Sequence, residues 1–164
     1  MTEQPRKWDY LSYNRYDVLR LNWLYWTIIL FLSRHILVLM FIGFSKGRSG
    51  SGPSDPALAA LIDPLFFISD VPALALLAFT GSRLPNGGNG ARAVWRNGRY
   101  FLSASCLLYL ALLFWQQGAQ ILQSHPLTWA LIAVNLIALV AIWWSNYLGD
   151  LFGEFPDPDP DSKK

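Results

Sequence analysis

Three ionisable side chains, Arg34, His35 and Asp70, lie inside long apolar runs of the sequence. Near the centre of a bilayer a charged side chain costs about 2.5–3.5 kcal/mol on insertion scales, and arginine cannot release its proton to avoid that cost. Asp70 is the only carboxylate clearly at a depth similar to that of Arg34. The sequence therefore predicts an Arg34–Asp70 ion pair, which His35 joins unless its ring turns to a backbone carbonyl or to an amide of the fourth run.

These three residues and Asn135, near the centre of the fourth run, form a candidate intramembrane polar cluster with two interpretations. In one, His35 and Asp70 titrate along a proton or ion path and Arg34 tunes them. In the other, the pair is structural and fixes helix register or holds a partner subunit. We favour the structural interpretation, because a path usually shows a series of ionisable residues and the sequence offers one such pair at depth.

The other reactive residues do not indicate catalysis. His35 and His125 lie at different depths, and neither has a neighbour at a metal-ligand spacing. Ser33 cannot form a dyad with His35, since adjacent side chains of a helix point apart. Cys106 is the single cysteine, which excludes an intrachain disulfide and a cysteine-based metal centre. We therefore expect no enzyme activity, no catalytic residue, no metal and no cofactor.

Four long apolar runs must position the cluster. They cover residues 21–44, 58–80, 100–122 and 127–148, and each reaches the roughly 20 residues that cross a hydrocarbon layer of about 30 Å. Apolar residues make up 53% of the 164-residue chain and charged residues only 15%, a balance that differs from that of soluble domains. The predicted fold class is all-α, an integral membrane bundle of four transmembrane helices.

The second run is the weakest candidate, because two aspartates and two prolines interrupt it. The pairs Asp55-Pro56 and Asp63-Pro64 each look like a helix N-cap followed by proline at the first helical position. A short interfacial helix over residues 56–62 would then precede a span of 17 residues, which is the lower end of what crosses a membrane. We prefer this broken helix to a continuous one that is kinked by proline.

Basic residues give the orientation of the runs. The leader (1–20), the loop 81–99 and the tail (149–164) hold ten lysines and arginines, whereas the loops 45–57 and 123–126 hold two. With four spans the first three segments lie on one side, and the positive-inside rule places that side in the cytoplasm. We therefore predict that the leader, the acidic Pro/Asp-rich tail and both termini are cytoplasmic.

Composition also limits the partners. The formal net charge is only +2, so we expect no nucleic acid. The basic stretch 95–99 is expected to anchor a helix end among anionic headgroups rather than to form a specific lipid or partner site. Residues 154–164 alternate proline with aspartate and are expected to be disordered.

Four short motifs resemble a known family. They are YDVLRL at 16–21, LSRH at 32–35, WRNGR at 95–99 and DLFGEFP at 150–156. In this order around the apolar runs, they resemble the YfeZ-like small inner-membrane proteins of proteobacteria, a family of unknown function. The resemblance implies a multi-pass protein of the bacterial inner membrane and brings no established activity or catalytic residue.

The sequence leaves two functional hypotheses. The first is a non-enzymatic accessory or assembly subunit of a membrane system, favoured by small size and the lack of catalytic motifs. The alternative is a small proton- or ion-coupled transporter or channel centred on the Arg/His/Asp cluster. A watery cavity that reaches Asp70 would favour transport, and a dry, sealed pair would favour the accessory role. In either case the expected partners are the lipid bilayer and a protein partner or further copies of the chain.

Overall fold

The computed structural model describes residues 7–14, 16, 18–49, 63–85, 87–123 and 125–156. These residues contain seven α-helices and no β-sheet, apart from one isolated bridge in the leader. The helices are α1 (Trp23–Leu32), α2 (Arg34–Ser49), α3 (Phe67–Thr80), α4 (Asn89–Arg96), α5 (Gly98–Gln117), α6 (Pro126–Trp144) and α7 (Asn146–Gly153). The chain is therefore all-α, as predicted.

Fewer helices than predicted can cross a membrane by themselves. Among the described residues only α5, with 20 residues, and α6, with 19, are long and apolar enough. α1 and α2 pass the same test only when they are counted together as one bent span, and α3 with the turn before it is apolar but short. Length and composition thus support two spans, or three with the bent pair, rather than clearly four.

The first apolar run is bent and is not the continuous helix predicted over 21–44. The axis of the first part of α2 is bent by 69° away from the axis of α1. Ser33 lies between them, outside the helical conformation, with φ −94° and ψ 14°. Its N–H bonds to carbonyl groups of α1, including that of Ile29 at 3.0 Å. One N–H and one carbonyl beside the break, those of Ile36 and Phe31, bond to side chains.

The second run begins as its shorter interpretation predicts. Asp63 is the N-cap, because its Oδ1 accepts a hydrogen bond from the Leu65 N–H at 3.0 Å. Pro64 occupies the first position of a 3₁₀ turn that leads directly into α3. The interfacial helix that the sequence predicts over 56–62 lies outside the described residues.

α3 packs against four helices, α1, α2, α4 and α5. Its Pro72 has no N–H, and the next backbone N–H, that of Ala73, donates to Ser105 Oγ of α5 at 3.0 Å. Leu76 of α3 and Leu102 of α5 are fully buried in the same apolar core. This packing holds the first turn of α3, which carries Asp70, inside the protein.

The third and fourth runs form shorter helices than predicted. α5 ends before Gly118, whose φ of +48° is unfavourable for other residues. α6 ends at Trp144, and the side chain of Ser145 then caps a separate helix, α7. The predicted spans, 100–122 and 127–148, therefore each include residues beyond the end of the long helix.

α7 and the residues after it pack against the bundle. Leu148, Leu151 and Phe152 are buried in the main core. The tail boundary predicted at 149 thus falls inside a packed helix, and residues 154–156 are also held rather than free. Residues 157–164 lie outside the part of the chain that is described.

Two arginines from the segment 81–99 bond to the leader and to the residues that follow α7. Arg83 donates hydrogen bonds to the carbonyl oxygens of Leu19 and Glu154, and Arg92 donates to that of Pro156. Glu154 in turn accepts from the Leu19 N–H at 2.8 Å. Burial lowers the pKa of Arg83 to about 10, so its guanidinium stays charged at pH 7. We call these five residues the terminal clasp.

The leader also folds onto α7. Lys7 and the indole N–H of Trp8 both bond to Asp150 Oδ2, at 2.8 and 2.9 Å, and the Tyr147 hydroxyl donates to the Arg20 carbonyl at 2.7 Å. Burial acts to raise the pKa of Asp150, but the hydrogen bonds from Lys7 and Trp8 outweigh it and lower the pKa. The described residues of the leader are therefore part of the folded unit.

The basic stretch 95–99 has a structural role that the sequence does not predict. Trp95 is fully buried, and its Nε1–H donates to the Leu151 carbonyl at 2.9 Å. Arg99 Nη2 donates to the Ser145 carbonyl at 2.6 Å. The stretch therefore fastens α7 to α4 and α5, whether or not it also contacts headgroups.

Large apolar side chains remain exposed along the two longest helices. Trp115 of α5 is 86% exposed, and Ile137 and Trp144 of α6 are 65% and 82% exposed. Contiguous apolar surface is unfavourable in water and is favourable against lipid. These faces are compatible with a membrane protein.

Candidate functional site at a helix break

Asp70 of α3 contacts the start of α2, directly after the break. Its Oδ1 lies 2.7 Å from His35 Nδ1, and its Oδ2 accepts a hydrogen bond from the Ile36 N–H at 3.2 Å. The predicted partner of Asp70 was Arg34, and the structure corrects that pairing: His35 contacts the carboxylate, and Arg34 instead donates to the Phe31 carbonyl. Arg34, His35 and Asp70 are nonetheless brought to one place, as the sequence predicts.

Asp70 acts as the N-cap of α2, although it belongs to another helix. The first N–H groups of any helix lack partners within the helix and carry partial positive charge. A capping side chain normally comes from the residue directly before the helix. Here that residue is Ser33, which is buried and whose Oγ has no hydrogen-bond partner among the described residues. The carboxylate from α3 supplies the acceptor instead.

Arg34 stabilises the opposite side of the break. Its Nη1 donates to the Phe31 carbonyl at 3.1 Å, near the C-terminus of α1, where unpaired carbonyls carry partial negative charge. The guanidinium also lies over the rings of Tyr109 and Phe31, at 4.1 and 4.5 Å from their centroids. Its Nε and Nη2 are buried without a hydrogen-bond partner in the described part of the chain. Aromatic faces thus provide much of its surroundings.

The His35 ring packs against the rings of Phe66 and Tyr109, which also contact each other at 5.4 Å between centroids. The centroid of Phe66 is 5.6 Å away and that of Tyr109 is 5.7 Å away, and both rings lie within 29° of parallel to the imidazole. His35 is 2% exposed and Asp70 is 0% exposed. Ser69 Oγ lies 3.4 Å from the same carboxylate oxygen, Asp70 Oδ1, and donates to the Phe66 carbonyl at 2.6 Å. The pair is therefore sealed from the surface.

Asn135, the fourth predicted member, forms no hydrogen bond with the other three. It is fully buried in α6 and donates from Nδ2 to the Leu131 carbonyl of its own helix at 2.8 Å. Its Oδ1 has no partner among the described residues. The structure thus unites three of the four candidates and leaves Asn135 as a separate buried amide.

Two aromatic residues of the site were not assigned by sequence reasoning. Tyr109 contacts both Arg34 and His35, and Phe66 covers the imidazole. The only signal for Tyr109 was its place on the polar side of the third run, near Ser105. Phe66 gave no signal, because it is one apolar residue among many. Neither ring adds a metal ligand, and the described residues contain no cluster of His, Cys, Asp and Glu that could hold a metal ion.

Comparison with known proteins adds one family match. The family described as "Protein of unknown function (DUF2919)" matches residues 8–154. This range includes the break, the terminal clasp except its last residue, and all seven helices. No curated protein and no solved structure matches the chain.

Proposed function

We propose that this chain, which belongs to the DUF2919 family of proteins of unknown function, is a multi-pass membrane protein that acts as a non-enzymatic accessory or assembly subunit of a membrane system. The proposal also includes that the chain is a YfeZ-like protein of the proteobacterial inner membrane and that both of its termini lie in the cytoplasm. Two or three helices of sufficient length and apolar character are compatible with this setting. The basic residues of the leader and of the loop 81–99 support the orientation.

The sealed state of the polar cluster is the observation that carries the proposal. Asp70 and His35 are inaccessible, and the hydrogen bonds of Asp70 and Arg34 are made to groups at the two ends of the helix break. Residues that move protons or ions usually face a watery cavity or a chain of similar groups. Charges that act as helix caps support a structural role, in which the chain presents a fixed shape to a partner.

Purification from native membranes tests the accessory role. The full chain is isolated in mild detergent, and its co-purifying proteins are identified by mass spectrometry. We expect a membrane-protein partner at a constant ratio, whose own complex fails to assemble when the chain is deleted. A chain that purifies alone, while its deletion leaves every membrane complex intact, would contradict the proposal.

A proton- or ion-coupled transporter is the second candidate, and the helix break itself favours it. Transporters often bind ions or substrates where a spanning helix is interrupted near the middle of the bilayer, and here an interrupted helix meets a His–Asp pair. The discriminating experiment is proton flux into vesicles that contain the full chain and a pH-sensitive dye. We expect the flux of protein-free vesicles. Flux that requires the protein and disappears in Asp70→Asn would establish transport and overturn the accessory role.

A further inference from the structure

A groove on α6 has the features of a lipid site. It has a volume of about 500 Å³ and is lined by Leu139, Val140, Trp143 and Trp144. Because the two tryptophans are the last residues of α6, the groove runs from the end of this helix toward its middle. It is open to the outside of the bundle, on a face that a bilayer would cover.

The wall formed by Trp143 is fixed in place. Its Nε1–H donates to Ser103 Oγ at 3.0 Å, and its ring packs edge to face with Tyr100 at 5.6 Å between centroids. Trp144 is different: it is 82% exposed, and its indole N–H has no partner among the described residues. The groove thus combines a rigid apolar wall with a free hydrogen-bond donor.

Positive charge lies at the same end. The Arg99 guanidinium is 5.8 Å from the centre of the Trp143 ring, where its Nη2 donates to the Ser145 carbonyl. Arg99 is also in the first turn of α5, where the helix terminus adds partial positive charge. Exposed tryptophan and tyrosine side chains mark the level of the headgroups, so this charge would meet the phosphate of a lipid.

We propose that the groove binds a glycerophospholipid with an anionic headgroup, from the leaflet beside the loop 81–99. An acyl chain would lie along Leu139 and Val140, between the tryptophans, and the headgroup would lie near Arg99 and the Trp144 N–H. An amphiphile with one apolar and one anionic end matches this arrangement of walls and charge. The site is independent of whether the chain assists assembly or transports ions.

The test uses the full chain in mild detergent and compares phosphatidylglycerol with phosphatidylcholine. Bound lipid is counted by native mass spectrometry, and the melting temperature is followed as lipid is added. We expect phosphatidylglycerol to bind several-fold more tightly and to raise the melting temperature more. Trp144→Ala should remove most of this difference, whereas Trp115→Ala should not, because Trp115 is equally exposed but lies at the other end of α5.

Three outcomes would overturn the proposal. The first is equal binding of the two lipids, or of neither. The second is an equal loss in both tryptophan variants, which would place the lipid elsewhere. The third is a dimer that phosphatidylglycerol does not affect and that Trp144→Ala dissociates, which would make the groove an interface between copies of the chain.

As a check that does not remove a side chain, Val140→Trp should fill the groove and weaken phosphatidylglycerol binding without loss of folding, because Val140 is 54% exposed.

Discussion

A carboxylate has two oxygens, and Asp70 uses them on two different groups, the His35 ring and the Ile36 N–H. One side chain therefore fixes both the position of the imidazole and the start of α2. Arg34 occupies the other side of the break, at the end of α1. Opposite charges thus lie near each other without direct pairing, because each is closer to the helix end that it stabilises.

Substitutions of Asp70 separate capping from simple charge pairing. Asp70→Asn keeps an oxygen that can accept from the Ile36 N–H, and asparagine caps helices about as well as aspartate. Asp70→Leu removes both acceptors, so we expect it to destabilise by about 2–4 kcal/mol, the sum of a lost cap and a buried unsatisfied donor. The measurement is thermal denaturation of both variants in detergent. If Asn lowers the melting temperature as much as Leu does, capping is not what Asp70 contributes.

The sequence predicted which residues meet at the site more accurately than it predicted which of them contact each other. Charge at depth in two neighbouring runs was enough to bring Arg34, His35 and Asp70 together. Which of the first two faces the carboxylate depends on the direction of each side chain around a helix, and the break at Ser33 changes that direction. Asn135 was included as an amide of the fourth run that the His35 ring could meet, and in the structure it bonds to the Leu131 carbonyl of its own helix instead.

At the scale of elements, the sequence contains a local signal for the start of the second run but none for the bend between α1 and α2. Asp63 and Pro64 predicted the start of the second run, because an N-cap and a proline at the first position are local properties. The run 21–44 has no proline and only one glycine, at 43, and proline or glycine usually accompanies a kink. The bend depends on acceptors from α3, which no local pattern can indicate.

Close packing of α5 against α7 predicts an effect at a glycine. A Cβ at Gly98 would lie 2.3 Å from ring carbons of Phe152, so Gly98→Ala forces the ring or the helix to move. We expect a loss of about 1–3 kcal/mol, as for other overpacked sites. Gly90→Ala is the matched control, because a Cβ there would meet nothing within 4 Å. Equal melting temperatures of the two variants would show that α7 does not pack on α5 in this way.

The terminal clasp predicts a sharp limit to truncation. Removal of residues 157–164 should leave the melting temperature nearly unchanged, since that segment has almost no apolar surface to bury. Removal from Glu154 onward should lower it, because Leu19 loses its carboxylate partner and Arg83 and Arg92 each lose a carbonyl acceptor. The measurement is the melting temperature of each truncated chain, compared with that of the full chain by thermal denaturation. A large loss from the shorter truncation would mean that residues 157–164 are also docked.

At the scale of the whole molecule, the clasp brings the leader, the loop 81–99 and the start of the tail to one end of the bundle. These are the segments that the positive-inside rule assigns to the cytoplasm. A cytoplasm-active reporter fused at Lys164 should therefore be active, and cysteines placed in residues 47–52 should react with a label added from outside the cell membrane. Labelling of these residues only after the membrane is opened would reverse the orientation.

The bend between α1 and α2 is the central structural claim, because the hydrogen bonds of Asp70 and Arg34 are made at its two sides. Spin labels at Trp23 and Phe41, each 76% exposed, can be introduced as cysteines in a Cys106→Ala background. Over this separation a straight helix gives a backbone distance of about 27 Å, whereas a bend of the observed size shortens it to about 22 Å. We predict the shorter distance by pulsed electron paramagnetic resonance in lipid vesicles, and a longer or broader distribution in Asp70→Leu. A distance near the straight-helix value in the otherwise unmodified chain would contradict the account.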